Sequence, residues 1–446
     1  MPAMQITKNT SKQASSGKKT VVRTIVLGLT IFLSIFLIFV ATWSIHSHLA
    51  SKPVALTLER QLEDFDYLVR ILSENYPYLA MHARTEGLNW EAAVADARAK
   101  IAAGVSGTDA IQICTELLDR LNRHTYFIPS SSYLYFLEVF NQSFMIRFIS
   151  CKPWADVLES PRALGNYGKV NRRIRERIGN PFTFLQDISR WNFTGKKTVA
   201  QSPTVKTSVI EQGRIAYLYF PTFTNFDADR QPTLEFLTSV KDYEWIIIDI
   251  RGNSGGSTWY VSSLIVPALI SKNLEHTAYA LVRPGNYIKP FLKARDLKIE
   301  PLSKLPAFPR LAPETKTDYI GFIHFSDIIR PAKTPIGFKG HVVLLVDGKV
   351  YSASEHMAYV CKSTGFATIV GETTGGDGIG IDVAVAMLPN SGYVFTFPPE
   401  AGLNPDGSFN EETNTVPDVE IAPGEDALQK TLELIASGWK GRDFER

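Results

Sequence analysis

The chain has 446 residues, 45% of them hydrophobic, and its 47 basic against 45 acidic side chains leave a formal charge of +2. That length predicts two or three units with ample core, and near neutrality without a long charge run gives nucleic-acid binding no footing. The three cysteines (Cys114, Cys151, Cys361) are too few for a disulfide framework, and they read as buried apolar residues rather than metal ligands.

In chain order, residues 24–45 come first. They carry no charged side chain and are mostly Ile, Leu, Val and Phe, and they are long enough to span hydrocarbon. Lys8, Lys12, Lys18, Lys19 and Arg23 precede them. The excess of positive charge predicts a cytoplasmic N-terminus over 1–23, with the rest of the chain outside the cytoplasm. A secretory signal cleaved near His48-Leu49-Ala50 is the competing reading. The apolar core of such a signal usually runs only about 7–15 residues, so the expectation is an uncleaved single-pass anchor in the cell membrane.

A linker at 47–56 leads to a small helical domain over 56–125. Leu58, Leu62, Phe65, Val69 and Leu72 recur at helical spacing behind Thr57 as N-cap, and Asn75-Tyr-Pro77 stops that helix. A second helix is expected over 90–102, before Gly104. A third starts after Thr108 with Ile111, Cys114, Leu117, Leu118 and Leu121 on its apolar face, and ends at 122–125. Residues 126–204 are rich in aromatic and basic side chains without a clear period. They lack the glycine-led loop of a PDZ domain, and no fold is assigned to them.

From 205 onward an α/β core is expected. Gln212-Gly213 marks a hairpin between strands at 207–210 and 215–220. A helix is predicted over 232–240, buried strands over 245–250 and 341–346, and helices after Ser257 and over 355–363. Strands at 367–370 and 393–397 and a closing helix at 427–436 complete it. The alternation argues for a sheet layered with helices. Two strand-to-helix junctions stand out. One carries the glycine-rich loop Arg251-Gly-Asn-Ser-Gly-Gly256, the other Ser352-Ala-Ser-Glu355 behind the turn Asp347-Gly348-Lys349. A hydroxyl at such a junction is exposed where backbone N–H groups converge, which suits a nucleophile facing an oxyanion hole. The glycines could instead be plain turn formers. The loop lacks the Gly-Lys-Ser or Gly-Lys-Thr ending of a phosphate site.

Three separated motifs resemble the tail-specific, or carboxy-terminal-processing, serine proteases. They are Asp249-x-Arg251-x-Asn253-x-Gly255-Gly256, Ser352-Ala-Ser-Glu355 and Gly371-Glu-Thr-Thr-Gly-Gly376. The resemblance implies a crotonase/Clp-like α/β protease core, peptide or protein substrates, and Ser352 as nucleophile, with Ser354 a helix-start residue. Many members pair the serine with a lysine just after the third motif, and here that place holds Asp377, which cannot stand in for a neutral amine. Lys362, in the serine's own helix, reads as a solvated face residue. The chain is closer to the branch of the tricorn core and the interphotoreceptor retinoid-binding protein, in which a histidine ending an N-terminal helix serves as base. That implies His124 here, with Arg123 in the place of a serine that takes part in the tricorn relay.

A glutamate ahead of a Pro-Asp pair, here Pro417-Asp418, implies Glu411 as the carboxylate behind the histidine, with Glu412 as its rival. The oxyanion hole would use N–H groups of Gly255 or Gly256 and of Ala353. Asp249 and Arg251 would brace the glycine loop, and Glu355 and Glu372 would make structural bonds. His356, one helical turn after Ser352, is the rival base, and His124 could instead simply cap its helix. His276, His324 and His341 lack acidic or cysteine neighbours at ligand spacing, so neither metal nor other cofactor is expected. The reading is a membrane-anchored extracytoplasmic serine peptidase. A ligand-binding protein without catalysis and an esterase are the alternatives on the same fold.

Overall fold

The structure, a computed structural model, describes residues 55–121, 124–141, 144–169 and 202–444 except 423, with isolated positions 30, 34, 36, 38 and 174. The expected anchor at 24–45 lies outside these apart from the isolated positions, as does Arg123. Among the described residues no helix is long and apolar enough to cross a membrane.

The first helices form where spacing and caps dictate. Helix α1 (Leu58–Asn75) starts at Thr57, whose hydroxyl accepts from Arg60 N–H, and buries Phe65, Leu68, Ile71 and Leu72. Helix α2 (Leu79–Glu86) was not anticipated. It begins directly after Pro77 and ends on Gly87 in the left-handed region. Helix α3 (Trp90–Ala102) is capped by Asn89 and α4 (Gly107–Asp119) by Ser106. The unassigned stretch after them carries three helices among its described residues, α5 (Tyr133–Asn141), α6 (Phe144–Leu158) and α7 (Pro161–Gly168), behind a segment in which Phe127 bridges to Phe395. Pro153 lies inside α6 and breaks the pattern that would have marked it.

The core domain holds a six-stranded sheet in the order β1-β2-β3-β7-β8-β12. Strands β1 (Lys206–Glu211) and β2 (Ile215–Tyr219) make the expected antiparallel hairpin. Beyond it β3 (Trp245–Asp249), β7 (His341–Val346), β8 (Thr368–Gly371) and β12 (Val419–Glu420) run parallel. A four-stranded sheet, β11-β4-β6-β5, packs beside it. Its β4 (Leu274–Val282) and β6 (Gly321–Ile329) pair antiparallel over their full length, and β5 (Glu300–Pro301) and β11 (Ala401–Leu403) edge them. Strands β9 (Ala384–Met387) and β10 (Val394–Phe397) form a separate pair.

Helix α8 (Phe226–Ser239) starts earlier than expected and carries Pro232 inside. Asp227 and Asp229 in its first turn favour that start through the helix dipole. The helix expected after Ser257 opens as a π-helix, Tyr260–Ile265, and passes into a turn of α-helix, Val266–Leu269. Helix α9 (Ala353–Thr364) follows Ser352, and α10 (Ala427–Ala436) closes the chain where predicted.

The helical region has no core of its own. One buried cluster joins Phe65, Leu68, Leu118 and Trp154 to Val385, Phe395 and Phe397 of the β9-β10 pair and to β4 and β6. Trp154 is fully buried, stacks on Phe140 at 5.1 Å, meets Phe291 edge-on at 4.9 Å and donates to the Val383 carbonyl at 2.7 Å. Trp154→Ala should cost about 3–5 kcal/mol in chemical denaturation. A loss under about 1 kcal/mol would mean the helices are not packed on the sheet this way.

Candidate active site

The three sequence motifs meet because β3, β7 and β8 are adjacent and parallel, so their carboxyl ends open on one edge. The loop after β3 is braced as expected. Arg251 donates to Asp249 through its own N–H at 2.9 Å and through its guanidinium at 2.6 Å, and also reaches Asp426 at 2.9 Å. Gly252 N–H is received by the Asp347 carboxylate of the turn after β7 at 3.0 Å. The Asn253 carbonyl accepts from Tyr351 N–H at 3.3 Å and from the Ser354 hydroxyl at 2.5 Å. The glycine loop and the serine turn are thus bonded to each other directly. The third motif closes the other side: Gly375 N–H donates to Val350 O at 2.7 Å and Ser352 N–H to Gly376 O at 3.2 Å.

Ser352 has φ 56° and ψ −122°, a strained backbone for a residue with a Cβ, and its side chain does not cap the helix it precedes. Such a strand-to-helix turn holds a hydroxyl out from the backbone. Ser354 is a different kind of residue. It is fully buried, donates to Asn253 and accepts from Tyr351 N–H at 3.0 Å. Gly255 and Gly256, at φ 109° and 137°, have separate functions. The Gly255 N–H is held by Asn253 Oδ1 at 2.9 Å, so it does not face the site as a donor. Gly255 instead allows close approach: a Cβ there would meet Tyr351 O at 2.8 Å, Ser352 Cβ at 3.0 Å and Ala353 N at 3.1 Å. Gly256 crosses Phe223, where a Cβ would meet the Phe223 carbonyl at 2.4 Å.

His124 reaches this edge from the end of the helical region. It sits at φ 62°, its carbonyl accepts from Thr396 Oγ1 at 2.5 Å, and its ring stacks on Tyr351 at 5.1 Å. Its Nε2 lies 2.6 Å from Asp377 Oδ2. Tyr351 adjoins Ser352 in sequence, and Asp377 adjoins Gly376, which accepts the Ser352 N–H. The imidazole is therefore brought to the serine turn from two sides. The segment before it is held by Leu121, whose carbonyl receives the Tyr76 hydroxyl and, at 3.1 Å, His82 Nε2.

The carboxylate seen against the ring is that of Asp377, which sequence reasoning considered only as a missing lysine. Its own signal was its place directly after Gly375-Gly376. Glu411 lies close enough to the Tyr76 and Tyr78 hydroxyls to act on them. Burial first, and Glu411 second, push the Tyr76 and Tyr78 hydroxyls well above their ordinary range. Glu412 is engaged elsewhere, in a two-oxygen pair with Arg84 at 2.7 and 2.8 Å. His356 is not placed to serve as base. Its Nδ1 faces the Gly378 carbonyl at 3.1 Å, its ring meets His276 edge-on at 5.7 Å, and burial together with His276 pulls its pKa down to about 4. Lys362 is not a solvated face residue. With Arg442 it pairs with Asp418 at 2.8 and 2.7 Å, and the Asp418 carboxylate also caps Ile369 N–H at 3.0 Å.

Two buried glutamates underlie the site. Glu355, at 0% exposure, accepts from Thr415 Oγ1 at 2.6 Å and Asn410 Nδ2 at 3.1 Å, and burial raises its pKa. Glu400 accepts from Ile381 N–H at 2.6 Å, and burial, with Asp377 and Asp382 adding to it, lifts its pKa to about 8.

Residues 214–421 match the sequence profile of peptidase family S41. The chain carries a peptidase family S41 domain and is a serine-type peptidase. Among solved structures it is similar to a putative peptidase from Parabacteroides merdae, at 18% identity over 86% of this chain and 94% of that one with a TM-score of 0.49. It is also similar to a serine-to-alanine mutant of CPAF, at 14% identity over 88% of this chain and 100% of that one with a TM-score of 0.51. The tricorn protease matches at 20% identity over 51% of this chain and 18% of that one, with a TM-score of 0.30. At these identities the CPAF likeness concerns the fold alone.

Glu400 provides a pH test. Its folded pKa, about 8, lies above the ordinary carboxylate range, so between pH 5 and 8 the folded state holds a proton that the unfolded state has lost. Stability contributed by that proton is present at low pH and is lost as pH rises to 8. Relative to Glu400→Gln, the wild type should lose up to about 1.4 kcal/mol per pH unit across that window and then level off. Parallel pH profiles for the two proteins would rule out a protonated Glu400.

Proposed function

We propose that the chain is a membrane-anchored peptidase acting outside the cytoplasm, with Ser352 as nucleophile, His124 as base and Asp377 as the carboxylate that orients it. The 2.6 Å contact between His124 Nε2 and Asp377 at the turn of a strained serine carries the reading. With Nε2–H held by Asp377, the ring's lone pair sits on Nδ1. Nδ1 takes the Ser352 proton as Oγ bonds to the substrate carbonyl carbon, and returns it to the leaving amine as the peptide C–N bond breaks. Water then enters by the same base to release the acyl group. Charge on the former carbonyl oxygen is received by the N–H groups of Gly256 and Ala353, each donor being worth about 3–4 kcal/mol in such a hole. Gly255 serves by close packing alone. Glu411 adds negative potential near Tyr76, whose hydroxyl holds the Leu121 carbonyl ahead of His124.

The anchor is residues 24–45. Its uncharged apolar length and the five basic residues ahead of it support crossing with the N-terminus inside. Carbonate extraction should leave the full chain in the membrane pellet, and removing residues 1–45 should release it. Release of the untruncated chain would remove the anchor from the account.

The catalytic assignment is tested with the purified domain on denatured casein and on a small ester. Ser352→Ala should abolish labelling by a serine-reactive phosphonate and casein turnover together. Asp377→Asn should lower kcat by about 10⁴-fold through loss of the productive tautomer. Casein turnover unaffected by Ser352→Ala would end the assignment. Ester cleavage without casein cleavage would favour an esterase.

A further inference from the structure

Beneath the site one buried side chain joins the element bearing the nucleophile to the loop bearing the carboxylate. Asn410 is 2% exposed and opens a single turn of helix, Asn410–Thr413. Its Oδ1 accepts from Gly378 N–H at 3.0 Å, and Gly378 directly follows Asp377. Its Nδ2 donates to Glu355 Oε1 at 3.1 Å, in the first turn of α9, and to Asn404 Oδ1 at 3.0 Å, just after β11. One amide therefore bonds one backbone N–H and two side chains on three separate segments, two of which hold Ser352 and Asp377.

The surrounding packing leaves this joint little freedom. A Cβ on Gly378 would meet Glu355 Cγ at 2.5 Å and His356 N at 2.7 Å, so the loop lies directly against α9. A Cβ on Gly376 would meet Asn414 Oδ1 at 2.6 Å and the Asn410 carbonyl at 3.2 Å. The chemistry is equally restrictive. Gly378 N–H takes its acceptor and Glu355 Oε1 a second donor, beside Thr415 Oγ1, from one short planar group. An asparagine amide offers both. An aspartate would set a second carboxylate against Glu355, and an alanine would leave the buried Gly378 N–H unpaired and take from Glu355 Oε1 one of its two donors.

Building on the Ser352–His124–Asp377 assignment, we propose that Asn410 is a positioning residue: it fixes the Asp377 loop against the Ser352 helix and so sets how Asp377 meets His124. It touches neither substrate nor reacting atoms. Outer residues that orient a functional group in this way typically account for about 10–100-fold of activity.

The test is a double-mutant cycle on peptide hydrolysis, with folding checked by thermal melting. Asn410→Ala should lower kcat about 10–100-fold with KM within about twofold. In an Asp377→Asn background it should cost little more than Asp377→Asn alone, because the group it positions is already disabled. If Asn410→Ala does not fold, Asn410→Asp is measured in its place, with the same expected result. It has the same shape and keeps the acceptor for Gly378. A full additive loss in the Asp377→Asn background, a change confined to KM, or wild-type kcat in the folded variant would each overturn the role of Asn410 while leaving the triad standing. Full activity of Asp377→Asn by itself would overturn both.

Discussion

The Asn253 carbonyl is the point on which the site depends. It accepts from Tyr351 N–H and from the Ser354 hydroxyl, and so ties the loop after β3 to the turn after β7. Two chain segments far apart in sequence become one surface there. Parallel pairing of β3 and β7 brings their ends together, but pairing alone leaves the loops free to splay. The two hydrogen bonds, with Asn253 Oδ1 turned onto Gly255 N–H and Nδ2 onto Phe220 O at 3.0 Å, set the glycine backbone within reach of Ser352. Only glycine at 255 allows that approach, since a Cβ would sit at 3.0 Å or less from the serine turn.

From this joint the strain at Ser352 becomes intelligible. A residue with positive φ and a Cβ is held in place only where its surroundings over-determine it. Here Gly376 O receives its N–H, His356 N–H returns to its carbonyl at 2.8 Å, and Ser354 pins the turn from below. His124 carries the same kind of strain and arrives on a step anchored by Tyr76 and His82 through Leu121. The polar interior beneath, Glu355 with Asn410 and Thr415, is unusual for a buried region. It concentrates where the loops that carry chemistry must be held, as expected when polar networks serve specificity of position.

Much of this was legible in the sequence, for identifiable reasons. Buried parallel strands are nearly continuous apolar runs, so Trp245–Asp249 and His341–Val346 were found. Helices with clear caps and stripes, such as Trp90–Ala102 and Ala427–Ala436, were found to the residue. What failed was signal diluted by polar or exceptional residues. Leu274–Val282 alternates buried and exposed positions at its start, but His276 and Thr277 obscured the period. Pro153 sits inside a helix and argued against it, and Pro232 was read as a helix start although the helix already begins at Phe226. In the site, Ser352 and His124 came from motif and position. Asp377 was passed over because a carboxylate in a lysine's place reads as a loss until its contact with His124 is seen. The engagement of Gly255 N–H by Asn253 depends on a side-chain rotamer that no spacing reveals.

A crystal structure of the domain with a peptide boronate would test most directly whether the three loops form one hydrolytic centre. The account predicts boron bonded to Ser352 Oγ, one boronate oxygen within hydrogen-bond reach of the Gly256 and Ala353 N–H groups, and His124 between the serine and Asp377. Boron on another residue, or a boronate oxygen turned away from both N–H groups, would contradict it.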